Sequence, residues 1–457
     1  MHDVIIVGAG PAGIFASLKF ASRPDLKILL LDMGPDIGER RCPSRDGGVV
    51  CARCESCSLA SGWGGAGAFS DGKITLSPEI GGWLSDILGR ERVESLISES
   101  DKIWLRFGSP TKVYGDDQDA AELISRKAKL AELELKTNKL RHLGTDLCRK
   151  ILADMRAHLD GSIEVRTRTK VSKILAEGGV ARGVQLSDGT ILEARAVLAA
   201  PGRIGAEWLG EESRRLGIGL TRNPVDIGVR AEVPAEVLSP LTDALYEPKL
   251  KYVSKRFDDY VRTFCVNPHG EVITECYDGV VTVNGHSFEF KRTANTNFAI
   301  LVSTAFTEPF KEPIAYGKYV ARLANLLSGG IIVQRLGDLV QGRRSTAERV
   351  KRSIVTPTLK NATPGDLSFI LPYRILSNIV EMLKAIDKLA PGVFSKHTLL
   401  YGVEAKFYSS RVNTGKNLET SVKNLFVAGD GAGLTRGLSQ AAACGLAAAE
   451  NVMKRLA

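Results

Sequence analysis

The chain carries near its start the stretch Asp3-Val-Ile-Ile-Val-Gly-Ala-Gly-Pro-Ala-Gly13, followed by an alanine-rich run and then Lys27-Ile-Leu-Leu-Leu-Asp32. The first stretch predicts an apolar strand that enters a turn with glycines at Gly8, Gly10 and Gly13. The second predicts another buried strand, and this strand ends in an acid. Strand, glycine-rich turn, helix and acid-terminated strand together form the βαβ pattern that binds dinucleotides.

Each position of this turn has a predicted role. Gly8 allows the tight turn, Gly10 lets the backbone approach a pyrophosphate, and Gly13 lets the helix pack closely on the strand. Pro11 and Ala12 begin the helix, whose free N–H groups and dipole favour an anion. We therefore expect the pyrophosphate of a dinucleotide at this helix N-terminus.

Two acids narrow the choice of dinucleotide. Asp32 lies where an acid accepts hydrogen bonds from ribose hydroxyls, and its charge would repel a 2′-phosphate, so FAD or NAD fits and NADP does not. Gly429-Asp430 ends a predicted strand near the other end of the chain, and a carboxylate there suits the ribityl chain that FAD has and NAD lacks. The helix that begins near Gly437 and Leu438 is predicted to direct its positive end at the flavin.

Composition places the chain among ordinary soluble proteins. Its 457 residues suffice for two or three domains, and 44% apolar and 25% charged residues are typical of globular chains. Without a run of eighteen apolar residues no transmembrane helix is expected, and a first strand at residue 3 leaves no room for a signal peptide. We expect a cytoplasmic protein. Its net charge of +9 favours a solvated basic surface over nucleic-acid binding.

The periodicity predicts an α/β fold with two domains. Both chain ends have α/β character, and we predict a Rossmann-like FAD-binding domain from residues 1–73, 140–220 and 395–457. Over residues 74–139 the sequence pattern predicts a helical insertion. Residues 221–394 predict an inserted substrate domain of mainly antiparallel β structure plus helices.

Three segments resemble the cofactor motifs of the glutathione-reductase-like flavoproteins with two dinucleotide-binding domains. These segments are Gly8 to Asp32, Val197-Leu-Ala-Ala-Pro-Gly202 and Leu425 to Asp430. More narrowly, the chain resembles a family described only as FAD-dependent dehydrogenases, and the matching stretches are Gly64-Gly-Ala-Gly-Ala-Phe-Ser-Asp-Gly-Lys73, Arg262-Thr-Phe-Cys265 and Gly365-Asp-Leu367.

The resemblance implies FAD as cofactor and places the glycine turn on the pyrophosphate, Asp32 on the adenosine ribose, the backbone of Val171 on the adenine and Asp430 on the ribityl chain. Two positions depart from the pattern, because Ala200 replaces the usual Thr and Asp32 the more frequent Glu. The cofactor-binding positions expected from the turns and the resemblance together are Gly8, Gly10, Pro11, Ala12, Gly13, Asp32, Gly64, Gly65, Val171, Gly202, Gly429, Asp430, Gly437 and Leu438.

Catalytic candidates come from two segments. No strand precedes Gly62-Trp-Gly-Gly-Ala-Gly67, so we predict close backbone approach to the flavin rather than a second Rossmann site, with Lys73 nearby. A flexible surface loop is the alternative. Arg262 and Cys265 form the second candidate pair, in which a thiol of lowered pKa faces the flavin; a buried, inert Cys is the alternative.

The sequence Cys51-x2-Cys54-x2-Cys57, with Cys42 a short loop away, predicts a metal or redox site. Thiolates at this spacing suit a 4Fe-4S cluster. Tetrahedral zinc, a dithiol redox pair and four inert cysteines are the alternatives.

These features together predict an FAD-dependent oxidoreductase that transfers hydride between flavin and a small organic substrate. An iron-sulfur cluster, if present, would relay electrons to a protein partner. No second strand-glycine-helix unit follows, so no NAD(P)H site is predicted. The alternatives are an FAD-dependent RNA-modifying enzyme and an electron-transfer module.

Overall fold

A computed structural model describes residues 1–43, 54, 56–221, 223–277, 279–288, 291–304, 313–407 and 410–457. The chain divides into two compact units. Unit 1 comprises Met1–Lys112, Leu140–Asn223 and Ser409–Ala457, and unit 2 comprises Val113–Lys139 and Pro224–Tyr408.

The strands, in chain order, are β1 (His2–Val7), β2 (Ile28–Leu31), β3 (Lys73–Thr75), β4 (Glu134–Lys136), β5 (Leu140–His142), β6 (Glu164–Arg166), β7 (Val171–Glu177), β8 (Val180–Leu186), β9 (Ile191–Ala199), β10 (Leu220–Thr221), β11 (Val225–Pro234), β12 (Lys249–Val253), β13 (Tyr260–Asn267), β14 (Glu271–Tyr277), β15 (Val280–His286), β16 (Asn295–Thr304), β17 (Ile332–Arg335), β18 (Thr363–Pro364), β19 (Leu399–Lys406), β20 (Arg411–Val412) and β21 (Leu425–Val427). The α-helices are α1 (Pro11–Phe20), α2 (Leu84–Leu88), α3 (Arg90–Arg106), α4 (Gln118–Leu130), α5 (Gly144–Leu159), α6 (Ala206–Arg215), α7 (Ala235–Leu245), α8 (Pro313–Ser328), α9 (Leu336–Val340), α10 (Ala347–Lys351), α11 (Tyr373–Leu389) and α12 (Leu438–Leu456).

Unit 1 is built on a parallel sheet with the order β6-β2-β1-β9-β21, and β8 and β7 extend β9 as an antiparallel ribbon. Strand β2 is buried along its whole length, as a parallel strand covered on both faces requires. Because β1, β9 and β21 are parallel neighbours, their carboxyl ends lie at one edge of the sheet. The turns that follow them are therefore brought together.

Helices α1 and α12 pack against each other in unit 1. Their contact is close enough that a Cβ at Gly445 of α12 would overlap the carbonyl oxygen of Ala12 in α1. The alanine-rich sequence of α12 suits this packing, because small side chains let two helices approach closely. The contact joins the first and last segments of the chain.

Unit 2 is built on an eight-stranded sheet with the order β18-β17-β19-β11-β16-β13-β12-β4. Along β11, alternate side chains point to opposite faces. Ile227 and Val229 join the apolar core that includes Ile379 of α11, whereas Asp226 and Arg230 point to the other face. This arrangement leaves unit 2 with a polar sheet face.

The predicted fold class is confirmed: a Rossmann-like unit is built from both chain ends, and a mainly antiparallel β unit with helices is inserted between them. Among the described residues no helix is long and apolar enough to cross a membrane.

The domain boundaries differ from those predicted. The expected helical insertion over 74–139 is divided, since residues 74–112 lie in unit 1 and residues 113–139 supply α4 and the edge strand β4 to unit 2. Residues 395–408, assigned to the FAD-binding domain, contain β19, which pairs with β11 and β17 inside the unit 2 sheet. A short apolar strand has the same pattern in either sheet, and only its long-range pairing decides between them.

Candidate cofactor site

Two glycines of the first turn are required by the protein's own packing. Gly8 has φ +107°, and a Cβ there would overlap the carbonyl oxygen of Ala200. A Cβ at Gly13 would overlap the carbonyl oxygen of Gly8. Both positions thus keep β1, α1 and the end of β9 in close contact.

Gly10 is different. Its φ of −77° is accessible to any residue, and a Cβ there would have no protein atom within 4 Å. It is also the residue before α1, which begins at Pro11 without a side-chain cap. The glycine faces open space beside uncapped helical N–H groups, and this arrangement fits the close approach of a pyrophosphate.

The buried carboxylate of Asp32 links three loops by accepting hydrogen bonds from their backbone N–H groups. Its Oδ2 accepts a hydrogen bond of 2.8 Å from the N–H of Ala9. Its Oδ1 accepts bonds of 2.8 Å from Gly34 and 2.7 Å from Gly62. A carboxylate has about four acceptor sites, so one remains on Oδ2 for a ribose hydroxyl. The sequence predicted that Asp32 binds a ribose, but it did not predict that Asp32 also links these three loops.

Arg40 lies next to this junction and was missed by the sequence analysis. It is only 1% exposed; its Nε donates to the carbonyl of Ser58 at 2.8 Å and its Nη1 to that of Trp63 at 2.6 Å. Desolvation lowers the pKa of Arg40 to about 10, although Asp32 opposes this effect. Its Nη2 has no partner among the described residues. An arginine in a polar segment carries no sequence signal of such burial.

The other two turns meet the first. Gly202, after β9, has φ +65°, and a Cβ at Gly431 would overlap its carbonyl oxygen. Gly429, after β21, has φ +81°, and a Cβ there would lie 3.0 Å from the Cβ of Ala12 in α1. The three predicted cofactor motifs therefore converge at the carboxyl edge of the unit 1 sheet.

Asp430 lies between the β21 turn and α12. It is partly buried and accepts hydrogen bonds from the hydroxyl of Thr435 at 2.7 Å and the N–H of Gly437 at 3.2 Å. Desolvation raises the pKa of Asp430, and the positive charge of Arg203 opposes this shift. The carboxylate is thus held beside the N-terminus of α12, and its ribityl role stays a prediction.

In the part of the chain that the structure describes, polar groups at the N-terminus of α12 lack hydrogen-bond partners. Gly437 has φ +90° and supplies no side-chain cap to the helix that begins at Leu438. Ser439 and Gln440 are buried, and among the described residues the Ser439 hydroxyl and the Gln440 Oε1 have no hydrogen-bond partner. Buried polar atoms are normally paired, so the polar edge of a flavin fits this place.

The glycine-rich segment after the cysteines lies against this site. A short 3-10 helix spans Gly65–Phe69, and the N–H of Gly64 donates to the carbonyl of Ala9 at 2.8 Å. A Cβ at Gly65 would lie 3.0 Å from the Cα of Gly10, and one at Gly67 would lie 2.8 Å from Leu438. The segment is therefore packed between the first turn and α12 rather than exposed.

Val171 begins β7, shortly after a backbone segment that contacts the Asp32 turn. Two residues shortly before β7 are bonded to the Asp32 turn, since Thr169 N–H donates to the carbonyl of Asp32 and Arg168 N–H to that of Gly34, each at 2.8 Å. Lys170 separates Thr169 from Val171. The place of Val171 near the adenine stays a prediction.

The three catalytic candidates are divided between the units. In unit 1, Lys73 forms an ion pair of 2.9 Å with Asp71, and both side chains are largely buried. In unit 2, Arg262 forms an ion pair with the buried Asp226, and Cys265 follows on the same strand with φ +38°. The structure thus gives Lys73 and Arg262 carboxylate partners that the sequence analysis did not identify.

The predicted metal ligands are only partly visible. Cys51 lies outside the described residues; Cys54 is exposed, and Cys42 and Cys57 are half-buried. Among the described residues there is no group of three or more His, Cys, Asp or Glu side chains arranged to hold a metal ion.

Comparison with known proteins gives family matches over the second half of the chain. Residues 225–407 match the family "FAD-dependent protein, C-terminal domain-like", and residues 359–457 match "Glucose inhibited division protein A". An uncharacterized protein of Clostridium beijerinckii is 27% identical over 99% of this chain and 80% of its own length.

Solved structures with similarity to this chain have low identity. Glycine oxidase from Geobacillus kaustophilus is 12% identical, covers 99% of this chain and 95% of its own, and has a TM-score of 0.42. L-proline dehydrogenase from P. horikoshii is 10% identical, covers 99% and 94%, and has a TM-score of 0.43. The family match over 225–407 is to an FAD-dependent protein, and it agrees with the convergence of the three glycine turns in unit 1.

Proposed function

We propose that this enzyme transfers a hydride between FAD and a small organic substrate. The observation that supports the proposal is the meeting of three glycine turns with the uncapped N-terminus of α12, where the buried Ser439 and Gln440 oxygens lack partners among the described residues. Bound FAD supplies the hydride acceptor or donor. The chain supplies binding, orientation and electrostatic stabilisation.

Each part of unit 1 has a proposed task. The turn from Gly8 to Gly13 holds the pyrophosphate with the N–H groups of α1. Asp32 accepts a ribose hydroxyl with its remaining acceptor site, and Asp430 accepts from the ribityl chain. The positive end of α12 stabilises negative charge on the pyrimidine edge of the flavin. Gly64 and Gly65 let the backbone approach the cofactor.

Two glycines provide a matched test of this proposal. Gly10 and Gly38 both lack a positive φ, and a Cβ at either would have no protein atom within 4 Å. Gly10→Ala should weaken FAD binding by about tenfold or more, because the methyl group occupies the place of the pyrophosphate. Gly38→Ala should leave FAD affinity unchanged. Flavin absorption and equilibrium titration of the FAD-free protein measure both.

Equal FAD affinity in the two variants would contradict the pyrophosphate assignment. A wild-type protein that purifies colourless and takes up no FAD would reject the whole proposal. Thermal unfolding of each FAD-free variant serves as the folding control, since neither substitution meets another protein atom.

We further propose that Cys42, Cys51, Cys54 and Cys57 bind a 4Fe-4S cluster that relays electrons to a protein partner. The supporting observation is Arg40, a buried cation that precedes Cys42 in the chain by two residues and whose Nη2 has no partner among the described residues. A buried charge needs an opposite charge nearby, and a cluster held by four thiolates is anionic.

Metal analysis after anaerobic purification tests the cluster, with EPR of the dithionite-reduced protein. We expect iron and sulfide, and their loss in Cys54→Ser but not in Cys276→Ser, which changes a cysteine of unit 2. Zinc alone would support the zinc alternative, and absence of both metals would leave thiol chemistry. Co-purifying RNA would instead favour the RNA-modifying alternative.

A further inference from the structure

Basic residues are concentrated in one short segment of unit 2. Residues 335–352 contain five arginines, one lysine and two acids, so their formal charge is +4, in a chain whose total is +9. The segment includes the end of β17 and the short helices α9 and α10. Nearly half of the net charge therefore lies in a small part of the sequence, which the overall composition does not reveal.

A buried carboxylate fixes two of these arginines. Asp338 is 0% exposed, and its Oδ1 accepts a hydrogen bond of 2.9 Å from the Nε of Arg343. Its Oδ2 accepts from the Nε of Arg335 at 3.1 Å and from the hydroxyl of Ser345 at 2.8 Å. One carboxylate thus orients two guanidinium groups but balances the charge of only one.

The fixed guanidinium groups keep N–H donors that no described residue accepts. Arg335 donates with Nη1 to the carbonyl of Arg349 at 2.9 Å, and its Nη2 is unbonded within the described part of unit 2, as are both Nη atoms of Arg343. Arg349 donates with Nη1 to the carbonyl of Arg344 at 2.8 Å, which leaves its Nη2 available. An oriented guanidinium with an unused N–H edge matches the oxygens of a phosphate.

The other cations of this region have no carboxylate partner among the described residues. Arg344, Lys351 and Arg352 are exposed, and their side chains form no ion pair or hydrogen bond there. Lys396 is also exposed and lies beside α9, because the N–H of Gly337 donates to its carbonyl at 3.3 Å and a Cβ at Gly337 would lie 2.7 Å from its side chain. These four positive charges are therefore not neutralised within the described structure.

A histidine connects the two segments of this surface. The carbonyl of His397 accepts a hydrogen bond of 2.9 Å from the hydroxyl of Ser353, the residue after Arg352. Burial lowers the pKa of His397, and the positive charges of Lys396 and Arg335 lower it further. The two segments thus form one surface of positive potential.

Six cations make up this surface, which we call the arginine surface: Arg335, Arg343, Arg344, Arg349, Arg352 and Lys396. We propose that the arginine surface binds the phosphate backbone of a nucleic-acid duplex. A duplex carries closely spaced negative charges, and neutralising them with Lys and Arg releases counterions. Arginine supplies five of the six cations, and its planar fork binds two oxygens of one phosphate. The proposal is independent of the flavin chemistry, because it assigns a binding surface and no reaction step.

The composition of the surface favours a duplex over other polyanions. None of its six members is aromatic, so it offers no ring for the base stacking on which binding of single strands relies. An anionic membrane is a poorer match, since interfacial helices insert a long apolar face, whereas α9 and α10 have five residues each. Phosphate contacts of this kind position a protein on a duplex without reading its sequence.

Fluorescence anisotropy of labelled duplexes, titrated with the FAD-loaded full-length protein, tests the inference. The probes are an RNA duplex and a DNA duplex of the same sequence, each of about 16 base pairs. We expect a Kd of about 1–100 µM for at least one of them near physiological salt. The logarithm of the association constant should fall with the logarithm of the salt concentration with a slope of about −3 to −5.

Two double variants that remove the same charge separate the arginine surface from the rest of unit 2. Arg344→Gln/Arg352→Gln should weaken duplex binding by about tenfold or more and make the salt slope about 2 less steep. Lys127→Gln/Lys129→Gln is the control, because both lysines are exposed on α4, the helix that leads into β4, six strands from β17 in the sheet. Its affinity should stay within about twofold of wild type. Thermal midpoint and FAD content establish that each variant is folded.

Three results would overturn the inference. The first is absence of binding of either duplex to the folded protein at about 50 mM salt. The second is an equal loss of affinity in the two double variants, which would mean that the total charge and not the arginine surface attracts the duplex. The third is binding of phosphatidylserine vesicles or polyglutamate without binding of either duplex. Flavin absorption of the same samples tests the proposed function separately.

Discussion

Asp32 and Gly62 are separated by 30 positions in the sequence, yet Oδ1 of Asp32 accepts a hydrogen bond of 2.7 Å from the N–H of Gly62. The same carboxylate binds the N–H groups of Ala9 and Gly34. One acid thus joins the glycine turn, its own strand end and the glycine-rich segment. Its loss should disturb the fold as well as the cofactor.

Asp32→Asn should lower the free energy of unfolding of the FAD-free protein by about 1–3 kcal/mol, because an amide NH2 cannot accept from a backbone N–H and leaves a buried donor unpaired. Urea denaturation measures the change. Asp188→Asn is the control, since Asp188 accepts one backbone bond in an exposed turn and its replacement should leave the midpoint unchanged. Equal midpoints for wild type and Asp32→Asn would contradict the tethering role.

Asp430→Ala should weaken FAD binding without disturbing the fold. The residue is partly exposed, and among the described residues its hydrogen-bond donors are Thr435 and Gly437, so the FAD-free variant should keep its fold. Loss of a hydrogen bond to a charged group corresponds to a decrease in FAD affinity of about tenfold or more. Fluorescence titration with FAD and circular dichroism of the FAD-free form check the two parts, and unchanged flavin affinity would remove the ribityl assignment.

Two buried thiols predict a pH dependence. Burial raises the pKa of Cys148 and that of Cys444 to about 12. In the unfolded chain a thiol ionises near pH 8.5, so the unfolded state loses protons that the folded state keeps. Stability should therefore be unaffected by these thiols below about pH 8 and should fall by up to about 1.4 kcal/mol per thiol and pH unit above pH 9.

Urea denaturation between pH 7.5 and 9.5 tests this dependence. In the double variant Cys148→Ala/Cys444→Ala, the part of the pH-dependent fall in stability that these two thiols cause should be absent. A thiol reagent at pH 8 should meanwhile spare both buried cysteines in the folded protein. Rapid modification of Cys148 or Cys444 under native conditions would show that these thiols are accessible.

Glu404→Gln should be among the most destabilising single changes in unit 2. The substitution leaves the fully buried guanidinium of Arg230 without its charged partner, a change that typically costs about 3–5 kcal/mol. Chemical denaturation measures the loss. The double variant Arg230→Met/Glu404→Leu should recover much of it, because it removes both charges, and no recovery would indicate that the Arg230 bonds to Cys265, Asn267 and Asn297 dominate.

The sequence by itself determined the local elements of the cofactor site. The spacing of Gly8, Gly10 and Gly13 after an apolar strand predicted the turn, and the acids Asp32 and Asp430 at strand ends predicted its two polar contacts. The turn and the strand ends could be predicted because turn geometry and strand periodicity depend on residues close together in the chain, whereas the cofactor contacts of the two acids stay predictions. Even so, only the structure separates the packing roles of Gly8 and Gly13 from the open position of Gly10.

Only the tertiary structure decided which strands and side chains meet over long separations. The sequence did not show that β19 belongs to the unit 2 sheet, that Arg40 is buried beside Asp32, or that Lys249 and Lys406 surround Phe264. Lysine and arginine occur mostly at surfaces, so their type carries no signal of such positions. The physical reason is that burial and pairing of these groups depend on contacts between segments far apart in the chain, which local periodicity does not encode.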